Sequence, residues 1–298
     1  MTYQEFKYTV ITHIREFLPE AYHKASISID PVLKNNGLRL DGLCIQNKIA
    51  KICPTIYLEY YFEQFQNGRR LEDILSEIAR VRVEQEKIGL DIAAITDLPR
   101  VRDKIKVKLI NAGLNAEFLK DKPHTIIADL AAVYYIDLSS CDDGGIMSSM
   151  ITDAILSAYG ITVEELHQIA VGNISENVYF AGMMQILSEE YNLIGCLPED
   201  ALPEKEVMYV LSTPEKTNGA GVVLSPKVMD IVAEKIGGDF FVLPSSIHEL
   251  ILVCKAGMDA DGLQQTVRQV NSSIAPSEIL SNFVYTYDLT HHELKLVV

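Results

Sequence analysis

Apolar residues recur at helical spacing through Phe6, Val10, Ile14, Phe17 and Leu18, behind a Thr2-x-x-Glu5 capping box. This spacing predicts a first helix ending near Pro19. Two strand-like runs follow, Ile27 to Leu33 and Leu38 to Ile45. Asn36-Gly37 separates them, a strong hairpin signal because both residue types tolerate positive φ. Helices are expected over about Thr55 to Gln66, closed by Asn67-Gly68, and over Leu71 to Lys87, where Leu71, Ile74, Leu75, Ile78 and Val81 share a face. Residues 1–94 therefore read as an αββαα region.

The middle of the chain is less regular. Lys104 to Asn111 reads as a strand, Asn115 to Lys120 as a short helix, and Thr125 to Leu138 as a long strand broken or bulged near Asp129. Cys141 to Gly145 reads as a turn. Helices are expected near Thr152 to Tyr159, Val163 to Asn173 and Ala181 to Tyr191, the second opened by a Thr162/Glu165 capping box after a Gly160 stop. Val207 to Leu211 and Ala220 to Leu224 flank Thr217-Asn218-Gly219, which reads as a hairpin with Gly219 at positive φ. Ser225-Pro226 opens a helix that Gly237-Gly238 closes. Strands over Phe240 to Leu243 and Glu249 to Cys254, a helix over Leu263 to Val270, and a hairpin of Val284 to Asp288 with Glu293 to Val298 complete the pattern. The order ββ-α-ββ-α-ββ predicts an α+β fold, an antiparallel sheet of hairpins with helices packed on one face. Residues 1–94 and 95–298 are the expected divisions. No linker rich in Pro, Gly or Ser parts them, so the two can also pack as one unit.

Composition narrows the class. Of 298 residues, 48% are hydrophobic and 22% charged, which is ordinary for a globular protein. Twenty-six basic against 41 acidic residues leave a net charge of −15. Such a chain repels phosphate polymers and anionic membranes unless its cations cluster. The Met1-Thr-Tyr-Gln-Glu start lacks a signal-peptide pattern, and no apolar run reaches the roughly 18 residues of a membrane span. The five cysteines, Cys44, Cys53, Cys141, Cys196 and Cys254, show no C-x-x-C spacing. Free thiols in a reducing cytoplasm are the expectation, with a cysteine pair brought together by the fold as the alternative.

Three stretches carry candidate chemistry. Ser245, Ser246, His248 and Glu249 put two hydroxyls, an imidazole and a carboxylate between two buried strands, the ingredients of a nucleophile site. Alternation along a strand sends His248 and Glu249 to opposite faces, and no G-x-S-x-G elbow is present. A structural corner, whose polar groups satisfy buried backbone, is therefore the favoured reading. Arg100, Arg102, Lys104, Lys106 and Lys108 alternate with apolar or acidic residues. Extended, they form a basic stripe suited to phosphate. Otherwise Lys104 to Leu109 is a lysine-protected edge strand following a helical turn at Leu98 to Asp103. Asp142-Asp143 and the exposed pair His291-His292 lack metal-ligand spacing, so no metal is expected. Phosphate-binding glycine motifs are absent as well, and no cofactor is expected. His124, His167, Asp129 and Glu165 remain as dispersed groups able to converge only through the fold.

The segments Lys108 to Asn111, Pro123-His124, Asp129-Leu-Ala131 with Tyr134, Ile161 to His167 with Asn173, Met208 to Leu211, Leu243-Pro-Ser-Ser-Ile-His-Glu249 and Glu278 to Ser281 with Tyr285 resemble a family of uncharacterised proteins from gut Firmicutes, known only as a domain of unknown function. The LPSSIHE stretch is the most distinctive of these. The resemblance implies a bacterial cytoplasmic protein and brings no activity, cofactor or partner. Three functions follow in order: a non-enzymatic binding or regulatory protein with a protein partner; a hydrolase using Ser245 or Ser246 with His248 or a distant histidine; and a nucleic-acid binder using Arg100 to Lys108.

Overall fold

Thr2 starts the first helix, α1 (Tyr3–Phe17), by accepting the Glu5 N–H at its hydroxyl, while the Glu5 carboxylate accepts the Thr2 N–H. The computed structural model describes residues 1–47, 53–87, 95–139, 148–190 and 206–297. They form two compact units, Met1–Arg100 and Val101–Val298.

In the first unit, β1 (Ser26–Leu33) and β2 (Arg39–Gln46) pair as the expected antiparallel hairpin, with Leu33 opposite Arg39. Asn36 and Gly37 take positive φ, 54° and 76°, as an Asn-Gly turn requires. A short strand, β3 (Thr55–Tyr57), stands where a helix was expected to begin, and pairs with β2. Its β-branched and aromatic residues suit an extended edge. Helices α2 (Leu58–Gln66) and α3 (Leu71–Lys87) follow. Phe6, Val10 and Ile14 of α1 meet Leu43, Ile45, Leu58, Ile74 and Ile78 in one buried core. Arg82, also fully buried, donates from Nε to the Ile45 carbonyl at 2.7 Å and lies 5.0 Å above the Tyr22 ring.

The cysteine expectation fails here. Cys44 on β2 is disulfide-bonded to Cys53, and Cys254 is a free thiol. Adjacent antiparallel chains bring the pair together, a proximity that nine residues of sequence separation do not announce. Cys141 and Cys196 lie outside the described residues, as does the expected turn at Cys141 to Gly145.

The second unit holds two antiparallel sheets, consistent with the α+β class. After a helical turn, α4 (Leu98–Val101), the first sheet places β6 (Leu130–Asp137) between β4 (Ile105–Asn111) on one side and β5 (His124–Ile127) with β7 (Ser148–Met150) on the other. The expected break near Asp129 is the two-residue turn between β5 and β6, with Ala128 at φ 56°. Helices α5 (Asp153–Tyr159) and α6 (Val163–Gly172) follow, separated by Gly160 in the left-handed region. α6 packs on β4, β5 and β6.

The second sheet has the order β13-β12-β10-β11-β9-β8: β8 (Tyr179–Gly182), β9 (Met208–Ser212), β10 (Phe240–Pro244), β11 (Glu249–Cys254), β12 (Tyr285–Asp288) and β13 (Glu293–Leu296). Helices α7 (Met183–Glu190), α8 (Pro226–Ile236) and α9 (Ala260–Asn271) accompany it. Two elements differ from expectation. Gly219–Leu224 is a 3-10 segment, not a strand, and residues 219–223 are buried. A short apolar run carries no period that distinguishes the two. Gly221 lets this segment approach β4 closely, since a β-carbon there would stand 3.0 Å from the Val107 carbonyl oxygen. The sheet instead gains β8, whose last residues, Ala181 and Gly182, were expected to open a helix. Helices also cover both faces of the sheet, not one. Val267 of α9 packs with Phe241, Leu243 and Val253, whereas Lys235 of α8 lies over Phe180, whose pairing through Leu211 and Leu250 puts it on the opposite face.

Candidate functional site

The side chains of greatest chemical interest come from β5 and α6. Pro123 ends the preceding loop and β5 begins at His124, paired with Val133 of β6. On α6 the Thr162/Glu165 capping box sets the helix start. Val163, Glu164, His167 and Gln168 are then successive positions of one helical face. With His124 and Thr125 they line an open cleft of about 510 Å³.

Beneath the cleft runs a hydrogen-bonded chain. The fully buried Tyr134 hydroxyl lies 2.7 Å from Thr125 Oγ1 and 2.9 Å from His167 Nδ1. The Tyr134 and His167 rings meet edge to face. Burial pushes the Tyr134 phenol up to about 12 and pushes the His167 imidazole down, so both are neutral near pH 7. His124 Nδ1 lies 2.7 Å from the Lys122 carbonyl oxygen. A carbonyl only accepts, so Nδ1 carries the proton and a neutral His124 keeps its lone pair on Nε2. His167 has two options. Its Nδ1 either donates to Tyr134 or accepts from it, and the hydroxyl chain can reverse with it.

Among the described residues, the cleft lining holds no lysine, arginine, serine or cysteine. Glu164 is exposed at the rim, and hydrogen bonds from its own backbone N–H and from Thr162 hold its carboxyl below the usual range. Among the described residues, no group of three His, Cys, Asp or Glu side chains is placed to hold a metal ion.

The Pro244 to Glu249 corner spends its polar groups locally. Ser245 Oγ donates to Glu249 Oε1 at 3.1 Å, and Ser246 Oγ accepts the His248 N–H at 3.0 Å. His248 Nδ1 accepts the Asn218 N–H at 3.2 Å, and the His248 carbonyl accepts from Ser212 Oγ at 2.7 Å. Neither serine hydroxyl is hydrogen-bonded to the imidazole.

The extended version of the basic stripe does not form. Arg100 sits on α4 and pairs with Asp97, Arg102 and Lys104 lie in a 3-10 turn, and β4 begins only at Ile105. Lys106 and Lys108 remain on β4, whose outer edge is covered. Asn173 Nδ2 donates to the carbonyls of Arg102 and Ile105 at 2.6 and 2.9 Å. Proline at position 99 and the short helical turn break the alternation that would have aligned five cations.

With this geometry in view, the chain matches the Family of unknown function (DUF5688) over residues 3–289. It belongs to that family. No curated protein and no solved structure matches it. No helix among the described residues of this DUF5688 protein is long and apolar enough to cross a membrane.

Of the four dispersed groups, the DUF5688 fold unites His124 and His167 and parts the others from them. Glu165 is committed to the α6 cap. Asp129 accepts from Tyr285 OH at 2.5 Å and Ser281 Oγ at 2.7 Å, tying the β5–β6 turn to β12. His291 pairs with Asp288 at an exposed hairpin end, and Asp142-Asp143 lies outside the described residues. Thr125, Tyr134, Glu164 and Gln168 are the site residues that the sequence did not offer as candidates. In Leu130 to Tyr134, an unbroken apolar run, the Tyr134 hydroxyl gives no signal of its own.

Proposed function

We propose that this is a binding protein whose recognition site is the cleft between β5 and α6. One observation carries the reading. Two imidazoles from separate elements open on the same cleft, each with its Nδ1 engaged by the protein, and each with an Nε2 that has no hydrogen bond among the described residues. The volume suits a small polar ligand, or a side chain presented by a partner protein. The lining hydroxyl, on Thr125, is spent on Tyr134, and this supports binding ahead of nucleophilic catalysis. The hydrolase reading at Ser245 and Ser246 finds less support, because both hydroxyls serve the corner itself.

The test is NMR of the isotope-labelled histidine rings against a panel of anionic, cationic and neutral polar metabolites. A ligand is expected to move His124 and His167 together and leave His13, His23 and His291 in place. A panel in which no class moves the two rings would remove the cleft from consideration.

A further inference from the structure

We propose that the cleft takes an organic ammonium group, recognised by the His124 Nε2 lone pair and the Glu164 carboxylate. This deepens the binding reading above and rests on it.

The donors and acceptors of the lining side chains select the ligand. The Lys122 carbonyl holds the proton of His124 on Nδ1, so Nε2 presents an acceptor to the cleft. Glu164 contributes a carboxylate and Gln168 an amide oxygen at the same rim. His167, uncharged through burial, adds no repulsion, and the hydroxyl chain beneath it lets its Nε2 act as acceptor. An ammonium has three donors and no acceptor, the complement of this set.

Anions find no comparable partner. Among the described residues, no lysine or arginine lines the cleft. The nearby Lys122 ammonium is paired with Asp121 at 2.6 Å and lies 4.3 Å over the Phe118 ring. At the start of α6 the Glu165 N–H bonds the Thr162 hydroxyl, and the Glu164 carboxylate is held down in pKa by its own backbone N–H. An anion approaching this helix start would face the Glu164 carboxylate. The net charge of −15 adds long-range attraction for a cation. A metal ion would need ligands converging within about 2.0–2.2 Å of one point, and no described trio does so. Hydrogen bonds from an ammonium span longer separations.

The ammonium can belong to a free amine or to a lysine side chain of a partner. Putrescine and a blocked lysine tripeptide are therefore titrated separately into the full chain, with succinate, inorganic phosphate and zinc chloride as the other arms. Calorimetry and the histidine resonances are the readouts. Saturable binding of putrescine or the lysine peptide, with His124 and His167 moving, is expected, and the tighter of the two names the source. Glu164→Gln, an exposed change that leaves the fold intact, should weaken it roughly 3- to 10-fold. Movement of the rings by phosphate, succinate or zinc while both amines stay inert overturns the ammonium assignment and leaves the cleft standing as a site. No movement by any arm removes both. Unchanged amine affinity in Glu164→Gln overturns the role given to that carboxylate.

Discussion

The Tyr134 hydroxyl, fully buried on β6, lies 2.9 Å from Nδ1 of His167 on α6 and holds that ring against the sheet. Tyr134→Phe keeps the shape and strips a shared partner from both His167 and Thr125. The expected loss is about 1–2 kcal/mol of stability, read as a lower urea midpoint, because buried polar groups left unmatched carry their desolvation cost. An unchanged midpoint would mean that water replaces the hydroxyl freely.

Acid should weaken the fold through the same ring. Burial lowers the folded-state pKa of His167 beneath the ordinary imidazole value of about 6.5. As pH falls, the unfolded chain therefore binds the proton first, and stability declines from about pH 6.5 downward until the folded ring is protonated too. His167→Asn should flatten that decline. Denaturation midpoints measured from about pH 7.5 to 5 in both proteins isolate the contribution, and parallel curves would contradict it.

Gly219 is required by space and not by its dihedral angle. It lacks the positive φ expected of it, but a β-carbon there would collide with Ser212 Oγ and the His248 carbonyl, and would stand 2.6 Å from the Thr213 nitrogen. Gly219→Ala should cost about 1–3 kcal/mol by overpacking against main chain. Gly172→Ala, at a helical position with nothing within 4 Å, should instead hold or gain stability. Equal midpoints for the two variants would show that the corner yields.

The Cys44–Cys53 bond closes a short loop, and its loss in Cys53→Ser should cost about 2–3 kcal/mol through the freed unfolded chain. Peptide mapping of protein alkylated before reduction should recover the linked pair, with Cys254 labelled after unfolding. Full labelling of Cys44 and Cys53 in protein taken directly from cells would point to a reducing compartment in which the bond stays open.

Strictly local signals fix the elements they belong to. The Thr2/Glu5 and Thr162/Glu165 boxes, the Asn36-Gly37 turn, the Gly160 and Gly237 stops and the Ser225-Pro226 start all act within a few residues. Elements failed where burial overrides period. Gly219–Leu224 is apolar on every side, so neither a two-residue nor a helical repeat is visible, and its choice of a 3-10 path depends on β4, β9 and β11 lying around it. β3 likewise forms because β2 offers a free edge.

The candidate site divides along the same line. His124, His167 and the serine corner stand out in the chain as residue types, and strand alternation already argued against a local Ser–His pair. That His124 and His167 share one cleft, over a tyrosine hidden in an apolar strand, comes from α6 crossing β4, β5 and β6. The chain alone specifies caps, turns and an α+β composition of antiparallel hairpins, because hydrogen bonds between near neighbours and the period of apolar residues are properties of short segments. The meeting of side chains 43 positions apart is settled by packing, because a buried face selects its partner by shape and apolar area, and neither is written in the spacing of the residues.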